Sequence, residues 1–287
     1  MKSYLSLVKF SHTIFALPFA IVGATLGFKY SPQHFDGYLL LKILLCMVTA
    51  RNAAMAFNRY IDRDIDKLNA RTAVREIPQN IVAPGEALLF VIINCLIFLV
   101  TCFFINYTCL FLAPVALLVI LGYSYTKRFT FLCHFVLGIG LGLAPIGAYL
   151  AVTDHFELLP ILYGFSVLLW VAGFDIIYAL QDSQFDQKHA LYSVPAKFGI
   201  AKAIHISTIV HVLCAATIII AGYLSVKMNP ELGILFLLGN AAFILLLIYQ
   251  HRIVNEHDLT KINVAFFTTN GLASLVFGTL FVIDLIY

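Results

Sequence analysis

The chain has 287 residues, 61% of them hydrophobic and 11% charged, with a net charge of +3 and a mean hydropathy of +0.94. A soluble domain carries about 25% charged residues, so a soluble globular fold is excluded. The apolar runs are too long and continuous for the alternation of a β-barrel, which leaves an all-α, polytopic membrane protein.

A crossing helix needs about 20 apolar residues, within a range of about 17–25. Nine stretches meet this: 12–28, 38–58, 86–105, 109–125, 131–152, 158–181, 203–225, 232–250 and 264–286. They predict nine transmembrane helices in a bundle, as a single domain over 1–287. The first run lacks a small-residue cleavage site and reads as a span rather than a signal peptide. Only a turn near Asn106 and Tyr107 separates spans 3 and 4. The longest connections, 59–85 and 182–202, follow spans 2 and 6, and each has room for a short helix over the membrane surface. Cys46, Cys95, Cys102, Cys109, Cys133 and Cys214 lie in or beside apolar runs with no CxxC pair, and read as small packing residues.

The basic residues set the orientation. With nine spans, the amino-terminus and the loops after spans 2, 4, 6 and 8 share one side, which holds 14 Lys and Arg, Lys2 and Lys9 among them. The other side holds Lys29, Lys42 and Lys227, and Arg51 lies inside span 2. The positive-inside rule puts the amino-terminus in the cytoplasm, in an inner membrane, and the carboxy-terminus outside.

Two acidic stretches interrupt the apolar pattern. In the first, RNAAMAFNRYIDRDIDKLNARTAVREIP from Arg51 to Pro78, Asn58, Asp62 and Asp66 recur every four residues. Four residues turn a helix by about 400°, so these groups stack on one face, with Arg51 seven residues earlier. Asp64 is off that face and reads as a solvated charge. In the second, Asp175, Tyr178, Asp182 and Asp186 fall within one narrow arc. Spans 2 and 6 run in the same direction, so both acidic ends meet the cytoplasmic face. Six of the fifteen acidic residues gather at these two places.

Carboxylates at a membrane exit repel one another and need positive charge. Hard divalent cations bind oxygen, and Mg²⁺ commonly uses one or two carboxylates together with substrate phosphate. Asn58 adds a neutral oxygen. Arg71, Arg75, Lys127 and Arg128 suit phosphate oxygens. Acidic faces, a metal and basic loops make a diphosphate site, and an apolar bundle suits a diphosphate with a long hydrocarbon tail. The plainer reading is a solvated helix end, its carboxylates paired with arginines that serve only as topology signals.

These motifs resemble the UbiA superfamily of intramembrane aromatic prenyltransferases over nearly the whole chain. The family's NxxxDxxxD stands as Asn58, Asp62 and Asp66, followed by Asn69-Ala70-Arg71-Thr72. Its DxxYxxxDxxxD stands as Asp175, Tyr178, Asp182 and Asp186. Tyr125-Thr-Lys127-Arg128-Phe-Thr130 matches a basic loop, and Gly140, Gly142, Ala144 and Pro145 match a small-residue stretch. The nearest likeness is to 4-hydroxybenzoate polyprenyltransferases, including the UbiA-like branch of menaquinone synthesis through futalosine. Ala70 departs from the proline often found after the loop asparagine.

The resemblance implies a Mg²⁺-dependent enzyme of quinone biosynthesis, acting on a polyprenyl diphosphate and a small aromatic acceptor in the lipid bilayer. Asp62, Asp66, Asp182 and Asp186, with Asn58, would hold two Mg²⁺. Arg71, Arg75, Lys127 and Arg128 would bind diphosphate. Asp175 and Tyr178, one to two turns deeper than Asp182, would orient the acceptor or take its proton. Arg51 would bind an acceptor carboxylate or a phosphate oxygen; pairing near Asp62 is its structural alternative. A 4-hydroxybenzoate-type and a dihydroxynaphthoate-type acceptor both carry a carboxylate, so a basic side chain does not separate them. Haem O and chlorophyll synthesis fit the motif context less well.

A cation-coupled transporter is the rival class, since membrane aspartates bind or relay ions there. Transporter sites sit near the midplane, whereas these carboxylates sit at one end. A scaffold that binds without turnover is a third reading. No nucleic-acid motif is present. His12 and His134 read as interfacial or packing histidines, and His205, His211, His251 and His257 form no metal pattern. Trp170, Phe174, Tyr178 and Tyr125 are candidates to face a carbocation, against core or lipid packing. Gly138 and Gly142 form a GxxxG-like pair for close helix packing.

Overall fold

The computed structural model describes residues 6–8, 15–31 and 35–287. Lys2, Lys9 and His12, and the start of the first expected span, lie outside the described residues. The regular elements described are all helical, apart from an isolated bridge between Asn255 and Asp258. They are α1 (Leu17–Tyr30), α2 (Gly37–Ile61), α3 (Arg63–Leu68), α4 (Pro84–Phe103), α5 (Tyr107–Thr126), α6 (Cys133–Thr153) and α7 (Leu158–Ala179). After these come α8 (Ser183–Lys188), α9 (Val194–Phe198), α10 (Ile200–Met228), α11 (Ile234–Ile253) and α12 (Asn270–Ile286). Among the described residues, eight helices are long and apolar enough to cross a membrane. α1, with 14 residues, is shorter.

Local chemistry sets the helix ends. Asp36 caps α2 by accepting from the Tyr38 N–H at 2.8 Å. Asn106 caps α5 by accepting from the Cys109 N–H at 2.7 Å, which makes the tight turn between α4 and α5. The 29 residues of α10 exceed a bilayer core. Lys202 and Lys227 near its ends can snorkel to the membrane surface.

The bundle is asymmetric. α1, α7, α10, α11 and α12 enclose an aromatic core built on Phe19, Tyr163, Trp170, Phe243, Phe277 and Phe281. The other half, where α2, α5 and α6 face α1 and α7, surrounds a cavity. Leu41, Leu45, Ile92, Leu96 and Leu118 point outward, as expected of side chains that face lipid.

Close backbone approach seats α6 on α7. A Cβ on Gly138 would lie 2.4 Å from the Leu168 carbonyl oxygen, and one on Gly142 would lie 2.5 Å from that of Gly164. Gly142→Val is expected to destabilise the fold by about 1–3 kcal/mol and to lower the Tm of the detergent-solubilised protein. An unchanged Tm would show that the two helices part there freely.

Both acidic stretches are broken rather than continuous. α2 ends at Asp62 (φ −88°, ψ 0°) and the chain re-enters helix as α3. Bonds from Asp62 N to Asn58 O (2.9 Å) and from Asp66 N to Asp62 O (2.7 Å) carry the four-residue spacing across the break. In the second stretch, α7 gives way to a 3₁₀ turn at Leu180–Asp182 before α8. A 3₁₀ turn has about three residues per turn, so Asp182 is rotated from where a straight helix would put it.

Candidate active site

The cavity has a volume of about 640 Å³. At one end it is lined by Asn58, Asp62, Asp66, Asn69, Arg71, Arg75, Lys127, Asp182 and Asp186. Deeper come Arg51, Arg59, Tyr123, His134, Asp175 and Tyr178, and beyond them apolar residues such as Met47, Leu112, Val119 and Leu150. Residues from two stretches more than a hundred positions apart thus meet in one space.

Most of the carboxylates are held by named partners. Asp62, whose side chain is 1% exposed, pairs with Lys127 Nζ at 2.7 Å and Arg128 Nη1 at 3.1 Å. It also accepts from Asn58 Nδ2 at 3.2 Å. Arg75 Nη1 donates to both oxygens of Asp66 at 2.7 Å. Arg71 reaches across to the second stretch. Its Nε donates to Asp182 Oδ1 at 3.0 Å, its Nη2 pairs with Oδ2, and its Nη1 donates to the Tyr178 hydroxyl at 3.0 Å. Asn69 also donates to Asp182 Oδ1, at 3.0 Å. Burial opposes the charge on Arg71, but its bonds to Asp182 outweigh this and hold its pKa above the ordinary value. Asp186 accepts from Ser193 Oγ at 2.9 Å.

Other expected residues fall differently. Arg128 lies outside the cavity lining: it donates to Asp62 and, at 3.0 Å, to the Ile61 carbonyl, so it braces Asp62 from behind. Asp64 is exposed and faces Arg63 at 3.7 Å. Tyr125 is 44% exposed and Trp170 is buried in the core, donating to Asn270 Oδ1 at 2.9 Å; neither lines the cavity. Phe174 and Tyr178 do. Arg51 also lines it, and no hydrogen bond or ion pair engages Arg51 among the described residues.

Three cavity residues had no assigned role. Tyr123 precedes Lys127 by four positions, a helical spacing that puts it one turn deeper on the same face. Arg59 is 6% exposed, and its Nε and Nη1 are buried without partners among the described residues. His134, expected to pack, instead has its Nδ1 2.7 Å from Asp175 Oδ2. Its partner is 41 positions away, so no local spacing could have revealed it. A further contact comes from the π-helical turn Val264–Thr269. It sets Phe266 against the Tyr178 ring, with centroids 4.0 Å apart. Gln250 Nε2 and Asn270 Nδ2 satisfy the Ala265 carbonyl of that turn at 2.9 and 3.2 Å.

The donors suit a hard divalent cation. Four carboxylates and Asn58 offer only oxygen to one cavity, the chemistry such ions take. Among the described residues, no three His, Cys, Asp or Glu side chains are already grouped as a metal site. Lysine and arginine supply the positive charge at Asp62, Asp66 and Asp182.

A sequence profile of the UbiA prenyltransferase family matches residues 16–272. The 4-hydroxybenzoate octaprenyltransferase of Aeromonas salmonicida is 30% identical over 84% of this chain and 82% of its own. The apo structure of a UbiA homologue from Aeropyrum pernix K1 is 32% identical, with a TM-score of 0.83 over 95% of this chain and 98% of the other. A UbiA homologue from Archaeoglobus fulgidus, solved bound to DMAPP and Mg²⁺, shares the fold at 20% identity, with a TM-score of 0.74 over 99% of each chain. A profile match over most of the chain, a relative at 30% identity and a common helical fold lead to one conclusion: the protein belongs to the UbiA prenyltransferase family and is an integral membrane prenyltransferase.

Proposed function

We propose that this enzyme transfers a polyprenyl group from a polyprenyl diphosphate to a carboxylated phenol of the 4-hydroxybenzoate type, in quinone biosynthesis at the cytoplasmic face. One observation carries the choice of a carboxylated acceptor. Arg51 lines the cavity beyond the paired carboxylates and has no anion of its own. A cation inside a membrane calls for an anion, and a carboxylate on the acceptor provides one. A dihydroxynaphthoate-type acceptor answers equally to Arg51; the named relatives bring 4-hydroxybenzoate forward. The cytoplasmic placement is supported by the 14 basic residues on one side against three on the other.

The residues divide the work by depth. Arg75 and Lys127 turn from their carboxylates to the diphosphate oxygens as the substrate enters, while Arg71 keeps its hold on Asp182 and Tyr178 and offers the diphosphate its remaining N–H groups. Asp62, Asp66, Asp182 and Asp186, with Asn58, would hold Mg²⁺, while Arg128 keeps Asp62 in place. Bound there, Mg²⁺ supplies positive charge that stabilises the departing diphosphate. The allylic C–O bond breaks and its electron pair leaves with the diphosphate. The ring carbon ortho to the phenolic oxygen bonds to the allylic carbon. The displaced ring proton passes to Asp175. Tyr178, backed by Phe266 and Arg71, orients the ring, and the tail lies along the apolar part of the cavity.

The test is prenyl transfer in membranes with a labelled polyprenyl diphosphate, Mg²⁺ and each acceptor in turn. Product with 4-hydroxybenzoate is expected; product only with a dihydroxynaphthoate would move the assignment to that acceptor. Arg51→Met is expected to raise the acceptor KM by about 10–100-fold, the worth of a hydrogen bond to a charged group. A rise in the diphosphate KM instead would assign Arg51 to phosphate.

A further inference from the structure

His134 lies in the first turn of α6 and is 2% exposed. Two contacts decide where its hydrogen sits. The Val194 backbone N–H donates to Nε2 at 3.2 Å. A backbone N–H can only donate, so Nε2 presents a lone pair. The hydrogen of the neutral ring is therefore on Nδ1, which donates to Asp175 Oδ2 at 2.7 Å. The two contacts together fix the ring, with Nδ1 on the carboxylate and Nε2 on the connector.

Val194 belongs to a short connector that touches three parts of the site. The Tyr192 N–H donates to the Lys127 carbonyl at 2.7 Å. Ser193 Oγ donates to Asp186 Oδ2 at 2.9 Å. Val194 holds His134, and His134 holds Asp175. Asp175 Oδ1 has no partner among the described residues, and the side chain, 23% exposed, lines the cavity.

We propose that His134 is a positioning residue: it fixes one oxygen of Asp175 so that the other meets the ring hydrogen of the acceptor. The inference rests on the reading of Asp175 as the proton acceptor. When the ring C–H bond breaks, its electron pair returns to the ring and its proton goes to Asp175 Oδ1. His134 stays bonded to Asp175 through Nδ1 while Val194 engages Nε2. The connector thereby sets the base in register with the diphosphate residues.

The experiment compares His134→Leu, His134→Asn and Asp175→Asn in the full-length protein, with polyprenyl diphosphate and 4-hydroxybenzoate, unlabelled or deuterated ortho to the phenol. His134→Leu is expected to lower kcat by about 10–100-fold, part of what a placed base contributes, with the KM of both substrates little changed. Its turnover should also become sensitive to the deuterium, because proton loss from a misplaced base becomes slow. His134→Asn, whose amide can still donate to Asp175, should recover most of the rate. An undiminished kcat in His134→Leu, no new isotope effect, a joint rise of both KM values, or no recovery with asparagine would each overturn the proposal. Full activity in Asp175→Asn would instead remove Asp175 as the base, a separate failure.

Discussion

Asp62→Ala and Asp182→Ala are each expected to lower prenyl transfer by at least about 10²–10³-fold, and EDTA to do the same to the unaltered enzyme. This is the scale of losing one preorganised electrostatic element at a site of developing charge. The two substitutions act differently. Alanine at 62 removes the anion that organises Lys127, Arg128 and Asn58. Alanine at 182 frees Arg71 and Asn69. Both remove an oxygen donor from the same cavity. Product formation measured in membranes, with Tm as the check on folding, decides the matter. Activity retained in both well-folded variants would sink the metal assignment.

Arg71→Met is expected to reduce kcat/KM by about 10²-fold, since hydrogen bonds to charged groups contribute about 1.5–3 kcal/mol each. Arg71→Lys should recover little of this. The guanidinium engages both Asp182 oxygens and the Tyr178 hydroxyl at once; a single ammonium cannot reproduce that planar fork. Its position between the two stretches, rather than its charge alone, makes it the strut of the site. Full recovery with lysine would show that charge alone suffices.

The helices and the two acidic stretches were legible because they depend on local pattern. Apolar length marks a span, and a four-residue repeat puts Asn58, Asp62 and Asp66 together even across the break at Asp62. What was not legible depends on contacts between distant segments. The sequence groups Arg128 with Lys127 as cations suited to phosphate. Past the end of α5 both reach Asp62, but Lys127 lines the cavity whereas Arg128 also bonds the Ile61 carbonyl, a distinction set by contacts with α2. Tyr123 carries no motif of its own, though its four-residue step back from Lys127 is a signal the sequence holds. His134 looked like a packing residue because Asp175 and Val194, which give it its task, lie 41 and 60 positions away. The π-helical turn carrying Phe266 left no periodic mark at all.

The two unlike halves of the bundle bear on how such an enzyme can change over generations. α7 belongs to both: Trp170 is locked among aromatic rings, while Asp175 and Tyr178 look into the hollow. Asp175 and Tyr178 are thus anchored to the half packed most tightly with aromatic rings. The walls of the apolar part of the cavity, on α2, α5 and α6, are mostly small or flexible apolar side chains. Exchanging one of these reshapes the sleeve and leaves the anchor untouched. A lineage built this way can drift toward longer or shorter tails one residue at a time while the chemistry at its mouth stays fixed.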